Sequence, residues 1–157
     1  MRKHKIKVRA YADTSVFGGV FDDEFEKPSK LFFEVVKTGD VKLLTSELVR
    51  QEIQAGPRKV RAFFEETLLF AEVVGISEAV LELQKAYVNK GIVSKKYATD
   101  AMHVALATVA GARVIVSWNF KHIVNFQKIP MYNSVNASQG YHTIGIYSPM
   151  EVTGYED

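Results

Sequence analysis

The chain contains no cysteine. Disulfides, thiolate zinc centres and cysteine nucleophiles are excluded, and the composition suits a reducing compartment. No apolar stretch approaches the roughly 20 residues that a bilayer-spanning helix needs. The basic start, with Arg2, Lys3, His4 and Lys5, is not followed by the apolar segment of a secretory signal. Those absences predict a cytoplasmic protein without a membrane anchor. Charge of one sign is also scarce: 20 basic against 18 acidic side chains leaves +2, too little by itself to mark a nucleic-acid binder. There is no GxGxxG, no GxxxxGK[ST] and no DxDx[TV] nucleophile motif, which argues against a dinucleotide binder, a P-loop enzyme or an aspartyl-phosphate phosphatase. No Ser-His-Asp arrangement can be recognised, so a covalent intermediate is not suggested. Internal repeats and low-complexity segments are absent too.

What is present is the material of a packed domain. Hydrophobic residues make up 47% and charged residues 24%, a globular balance. A length of 157 residues suits one domain, 1–157, with one core. Apolar runs alternate with helical patterns along the chain. Ile6 to Ala12 reads as a strand, and Phe17-Gly18-Gly19-Val20 as a flexible turn. A helix with Pro28 near its start carries Leu31, Phe32, Val35 and Val36 and stops at Gly39. Val41 to Thr45 is a strand, and Ser46 caps a helix that ends at Gly56-Pro57. Lys59 to Leu69 is an amphipathic helix, Ala71 to Ile76 is extended, and Ser77 caps a helix through Asn89. Ser94 opens an alanine-rich helix that runs to about Ala110. Val114 to Ser117 is a fully apolar strand of the kind found in a covered parallel sheet. Gln127 to Tyr141 reads as a polar loop, and His142 to Tyr147 as a final strand. Strands alternating with helices predict a mainly parallel α/β sheet.

Four segments far apart in sequence end in acidic or amide residues, and three of them follow apolar runs. In open α/β sheets such strand ends meet at one crevice. Asp13 directly follows the first strand, with Thr14 and Ser15 beside it, and fits either a metal ligand or an Asx-turn cap. Glu52 lies in the second turn of its helix, where it would face the strand ends. Glu47 competes with it, although in the first turn it also complements the helix dipole. Asp100 sits in a helix among Ala98, Ala101 and Met102, a place for which aspartate has weak propensity. Ser117 and Asn119 close the most apolar strand. Carboxylates gathered in one crevice repel one another unless a cation compensates them. A hard divalent metal site is the economical account, and it points to phosphodiester chemistry.

The segments Ala12-Asp13-Thr14-Ser15-Val16, Ser46-Glu47-Leu48-Val49-Arg50-Gln51-Glu52-Ile53, Asp100-Ala101-Met102-His103-Val104-Ala105-Leu106-Ala107 and Val116-Ser117-Trp118-Asn119-Phe120-Lys121-His122-Ile123 resemble, in order and spacing, the PIN domain family. That nuclease family includes the VapC-like toxins of prokaryotic toxin–antitoxin modules. The resemblance runs from about Val8 to Ile123. It implies a three-layer α/β/α fold with a parallel sheet, an acidic pocket for one or two Mg²⁺ or Mn²⁺ ions, and RNA as substrate. It places the family's metal-binding carboxylates on Asp13, Glu52 and Asp100, and its further aspartate on the position occupied here by Asn119. An amide there is a neutral ligand or a donor to water or phosphate, and the lost charge weakens a second metal site. The resemblance implies a metal-dependent endoribonuclease, the toxin of a pair with an antitoxin protein. The alternative is a PIN-like domain that binds RNA or protein without cutting it.

Around these residues, Thr14, Ser117, Lys95, Lys96 and His122 are candidates for contacting substrate, with Lys121 and Arg50 as further cations. The lysines also suit an ordinary solvated surface. The basic lead-in Arg2, Lys3, Lys5, Lys7 and Arg9 is a second patch of that kind. His103, one turn after Asp100, fits a packed core histidine or one that orients a carboxylate. Trp118 fits either base stacking or core filling. The family resemblance also implies a homodimer, for which Phe63/Phe64 and Leu81/Leu83 offer apolar surfaces.

Overall fold

The computed structural model describes residues 7–155; Ile6 and the basic residues Arg2, Lys3 and Lys5 lie outside the described residues. Five strands form one all-parallel sheet: β1 (Val8–Ala12), β2 (Val41–Ser46), β3 (Ala71–Val74), β4 (Val114–Val116) and β5 (Gly145–Tyr147), in the order β3-β2-β1-β4-β5. The central strands are apolar on both faces because both faces are covered. Ala10, Tyr11, Ala12, Leu43, Leu44, Ile115 and Val116 are all fully buried.

Among the described residues eight α-helices connect and cover the strands. They are α1 (Thr14–Gly19), α2 (Glu26–Lys37), α3 (Glu47–Gln54), α4 (Arg58–Thr67), α5 (Glu78–Asn89), α6 (Ala98–Val109), α7 (Lys128–Ser138) and α8 (Pro149–Thr153). α1 packs with α2, α3 and α4, while α8 lies on α2; α5 packs with α6 and α7. The result is the three-layer α/β/α arrangement expected from the alternating pattern. An aromatic cluster anchors the first group. Phe33 and Phe63 meet edge to face at 4.8 Å, and Phe17 contacts Phe33, Phe63 and Phe64. Phe64 and Leu83 are therefore core residues, 1% and 2% exposed, and not the dimer surfaces expected of them. Leu81 alone of those four is well exposed, at 47%.

Three segments depart from the sequence expectation. The Phe17–Val20 stretch is no flexible turn, because Thr14–Gly19 is helical and Asp13 caps it by accepting from the Ser15 N–H. Gly19 is there for space: a Cβ would lie 2.5 Å from Ser29 Oγ and 2.8 Å from Trp118 Nε1. The polar segment Gln127 to Tyr141 is mostly helix α7, with Tyr132, Val135 and Asn136 buried. Its asparagines look like loop residues because their amides compete with the backbone. Here those amides are used in packing. Asn133 brackets Ile144, donating to its carbonyl at 2.9 Å and accepting from its N–H at 2.8 Å, and Asn136 accepts from the Tyr87 hydroxyl. That bracket also explains why the last strand is only Gly145–Tyr147, with α8 following it through a Ser148/Glu151 capping box. Among the described residues no helix is long and apolar enough to cross a membrane.

Candidate active site at the strand ends

β1 lies between β2 and β4, and the strand order reverses there. A crevice therefore opens beyond the C-terminal ends of β1 and β4. Asp13 leaves β1 into it and Ser117 leaves β4, with the Asp13 N–H tied to the Val116 carbonyl at 3.2 Å. Asp13 is 4% exposed. Its Oδ1 accepts from the Ser15 N–H at 3.1 Å and the Ser15 hydroxyl at 2.6 Å; its Oδ2 accepts from the Ser117 hydroxyl at 2.5 Å. The two serines are held in turn. Ser15 Oγ accepts from the Trp118 N–H, and Ser117 Oγ from the Asn119 N–H.

Glu52 reaches the same place from α3. Its Oε1 accepts from the Thr14 hydroxyl at 2.7 Å and pairs with His103 Nε2 at 2.6 Å. The other face of His103 meets the Tyr11 hydroxyl at 2.8 Å, and that hydroxyl meets Ser46 Oγ at 2.8 Å. Ser46 also caps α3 by accepting from the Val49 N–H.

The electrostatics follow from this packing. Burial pushes the Asp13 carboxyl above its usual range; His103, Ser117 and Ser15 pull it back and the Glu52 charge pushes it further up, leaving it raised. Burial also acts upward on Glu52, but the hydrogen bonds it makes with His103 and the Thr14 hydroxyl outweigh it and hold the carboxyl below its usual value. Burial raises the Tyr11 hydroxyl far above the ordinary phenol range, against the bond to Ser46, so Tyr11 stays protonated.

Asp100 stands in the first turn of α6. Its charge acts on His122 and Tyr132, whereas the carboxylate acting on Asp13 is Glu52. His122 is 8% exposed, and neither ring nitrogen has a partner among the described residues. Burial lowers its pKa; Asp100 works against that, and Lys128 and Lys121 reinforce it. The His122 ring stacks on Tyr97 at 4.1 Å, and the ammonium groups of Lys96 and Lys121 sit 5.5 Å and 5.4 Å from the Tyr97 centroid. Lys95 is exposed on the short 3₁₀ turn Lys95–Tyr97 that leads into α6. Asn119 uses its side-chain oxygen to accept from the His122 N–H at 2.9 Å. Its NH₂ has no hydrogen-bond acceptor among the described residues, and its oxygen keeps a second lone pair. Trp118 is packed, stacking on Phe25 at 4.1 Å and donating to Ser29. It lines a cleft of about 390 Å³ with Ser15, Gly18, Gly19, Asp22, Phe25 and Asn119.

Of the residues expected from sequence, Asp13 with Ser117 and Glu52 with Thr14 form two hydrogen-bonded clusters that meet where Thr14 follows Asp13 and that feel each other's charge, with Asn119 at the rim; together they make the first group. Asp100, His122 and the lysines form a neighbouring group. Glu47 instead lies 3.7 Å from Arg50 in a surface ion pair. Tyr11, Ser15, Ser46 and His103 are additional members of the first group. A signal for Tyr11 existed: a tyrosine inside a buried strand needs a partner for its hydroxyl.

Among the described residues no three His, Asp or Glu side chains are arranged to hold a metal ion together. The donor chemistry nevertheless fits Mg²⁺ or Mn²⁺. Such ions keep several waters and use one or two carboxylates plus substrate phosphate. Asp13 and Glu52 provide two mutually repelling carboxylates, and burial holds the first of them above its usual range.

No protein-family model matches the chain, and no curated protein matches it by sequence. Solved structures do match by fold. A chain of VapBC2 from Rickettsia felis, solved bound to a DNA fragment from its promoter, superposes with a TM-score of 0.59 at 14% identity, covering 90% of this chain and 98% of that one. A chain of a toxin–antitoxin complex from Klebsiella pneumoniae gives 0.57 at 16% identity, over 76% and 93% of the two chains. FitAcB from Neisseria gonorrhoeae gives 0.58 at 11% identity, over 89% and 97%. The protein has the fold of these chains, the PIN-like α/β/α fold expected from its motifs.

Proposed function

We propose that the protein is a metal-dependent endoribonuclease of the VapC-like type, acting as the toxin of a toxin–antitoxin pair. The observation that carries this reading is the pairing of Asp13 with Glu52 at the switch point of the sheet, with the Asp13 carboxyl raised by burial. A buried carboxylate in that condition is stabilised by a cation. Asp13 and Glu52 would hold Mg²⁺ or Mn²⁺, with Asp100 contributing through water. The bound ion supplies Lewis acidity, neutralising charge on the phosphate and making water nucleophilic near neutral pH. The chain's own residues do the rest. Ser15 and Ser117 fix both Asp13 oxygens, and Thr14 fixes Glu52. The Asn119 NH₂ donates to a phosphate oxygen or water. Lys95, Lys96 and Lys121 attract the RNA backbone beside Asp100, and His122 with Tyr97 forms the floor of that region.

A second reading, a PIN-like domain that binds RNA or protein without cutting, is favoured by one observation. Asn119 is a neutral amide whose oxygen already accepts from the His122 N–H, so this position supplies no fourth carboxylate. Cleavage of a mixed RNA pool in Mg²⁺ or Mn²⁺ separates the two, with Asp13→Asn, Asp100→Asn and EDTA as controls. Cleavage lost in both variants and in EDTA supports the nuclease. A folded wild type that shifts RNA in a gel but leaves it uncut points to the binding role. One fold neighbour is a chain of a toxin–antitoxin complex, which motivates an antitoxin that masks the acidic cleft. Co-purification with the product of an adjacent small reading frame tests it, and light scattering tests the homodimer.

A further inference from the structure

The site contains a chain of hydrogen bonds that the nuclease reading does not by itself require. It runs from the N–H of Val49 to Ser46 Oγ, from Ser46 to the Tyr11 hydroxyl, from Tyr11 to His103 Nδ1, and from His103 Nε2 to Glu52 Oε1, with lengths of 3.1, 2.8, 2.8 and 2.6 Å. Its inner members are closed to solvent: Tyr11 and Ser46 are 0% exposed and His103 is 3% exposed. Four elements contribute: Tyr11 from β1, Ser46 from β2, His103 from α6, and both ends, the Val49 N–H and Glu52, from α3.

The direction of the protons follows from counting donors and acceptors. Ser46 Oγ already accepts from Val49, and its own proton has one acceptor in reach, the Tyr11 oxygen. Tyr11 then donates to His103 Nδ1, which must be the bare nitrogen. The ring proton is therefore on Nε2, where it points at the carboxylate. The reverse direction would leave the buried Ser46 proton without an acceptor, a loss that buried hydroxyls avoid. Glu52 Oε1 thus receives two donors, Nε2–H and Thr14, while Oε2 receives none from the described residues.

We infer that His103, locked in its Nε2–H form by Tyr11 and Ser46, is a positioning residue that anchors one oxygen of Glu52 and leaves the other free for a cation. This inference rests on the metal-dependent nuclease reading. An imidazole whose far nitrogen is tied to a fixed partner is the usual device for orienting a metal-site group, and loss of such a partner typically weakens metal affinity by about 10–100-fold. Here the same device acts one bond further out, on a carboxylate.

The test combines two readouts. Nitrogen-15 spectra of the imidazole in EDTA report where the His103 proton sits. Mn²⁺ titration followed by electron paramagnetic resonance reports affinity in wild type, His103→Gln, His103→Leu and Tyr11→Phe, each checked for folding by thermal melt. The expected result is a proton on Nε2 in the wild type, with the Nδ1 resonance moving when Tyr11→Phe removes its donor. His103→Leu weakens Mn²⁺ by about 10–100-fold. His103→Gln keeps an N–H aimed at Glu52 and retains most of the affinity, and Tyr11→Phe falls between. A merely structural histidine would lower melting temperature in both His103 variants without separating them in affinity. Folded His103→Leu that binds Mn²⁺ like wild type, or a wild-type proton on Nδ1, overturns the inference while leaving the nuclease reading intact. A wild type that neither binds Mn²⁺ nor cleaves RNA overturns both. If His103→Leu does not fold, an unchanged affinity in Tyr11→Phe overturns the relay.

Discussion

Asp13→Asn is expected to stabilise the protein in EDTA at neutral pH, although it removes the residue most central to the site. Burial raises the carboxyl above its ordinary value of 3.8. Such a group contributes stability that is complete below 3.8 and lost as pH rises through the raised folded pKa. At pH 7 the ionised form is thus unfavourable, and an uncharged amide relieves it. The relief is incomplete. The amide oxygen keeps both bonds from Ser15, but the NH₂ faces Ser117 Oγ, which already accepts from Asn119 at 2.9 Å. The Ser117 hydroxyl proton then loses its acceptor, at about 1–3 kcal/mol. Desolvating a charge costs several kcal/mol even after relaxation, so a net gain of about 1–2 kcal/mol remains, of the size common when a functional strain is removed. In a domain of this length each kcal/mol moves the melting temperature by about 2–4 °C. Thermal melts at pH 7 and pH 4 test the idea. The variant should melt higher at pH 7, and the gap should narrow toward pH 4 as the wild-type carboxyl protonates. Adding Mn²⁺ at about 100 times its Kd should then stabilise the wild type by about 2.7 kcal/mol and leave the variant nearly unchanged, reversing the order. A variant less stable than wild type in EDTA at pH 7, or a gap independent of pH, would refute the account of a buried uncompensated carboxylate.

Three further outcomes can be measured. Asn119→Asp keeps an oxygen for the His122 N–H and presents a second one to the crevice; Mn²⁺ stoichiometry by calorimetry should rise from one to two, and a constant stoichiometry removes Asn119 from the metal argument. Gly19→Ala sets a Cβ 2.8 Å from Trp118 Nε1 and 2.5 Å from Ser29 Oγ, and should cost about 1–3 kcal/mol by overpacking; an unchanged urea midpoint contradicts this. Asn133→Ala removes both bonds that bracket Ile144, and should speed hydrogen exchange at the Gly145–Tyr147 amides well before the central strands. Uniform exchange across the sheet would show the bracket to be idle.

Periodicity and punctuation in the sequence were enough for the alternating architecture. Leu43-Leu44 and Val114-Ile115-Val116 are strands because only a sheet covered on both faces accommodates unbroken apolar runs, and Gly39, Gly91 and Gly111 end helices with positive φ of 89°, 80° and 75°. The order of Asp13, Glu52, Asp100 and Asn119 suggested the crevice. What misled was local polarity. Asn133 and Asn136 resemble loop residues until Ile144 and Tyr87 are brought beside them, and Phe63-Phe64 resembles a surface until Phe17 and Phe33 arrive.

By itself, then, the sequence determined the fold class, the strand ends and the candidate carboxylates, because each depends on spacing within a few turns or on motif order along the chain. Only the tertiary structure decided which groups touch. His103 faces Glu52 across 51 residues, Tyr11 meets His103 across 92, and Ser117 reaches Asp13 across 104. Hydrogen bonds between side chains so distant in sequence leave no periodic trace. They exist because parallel strand order places β1 beside β2 and β4 and brings α3 and α6 to the same end of the sheet.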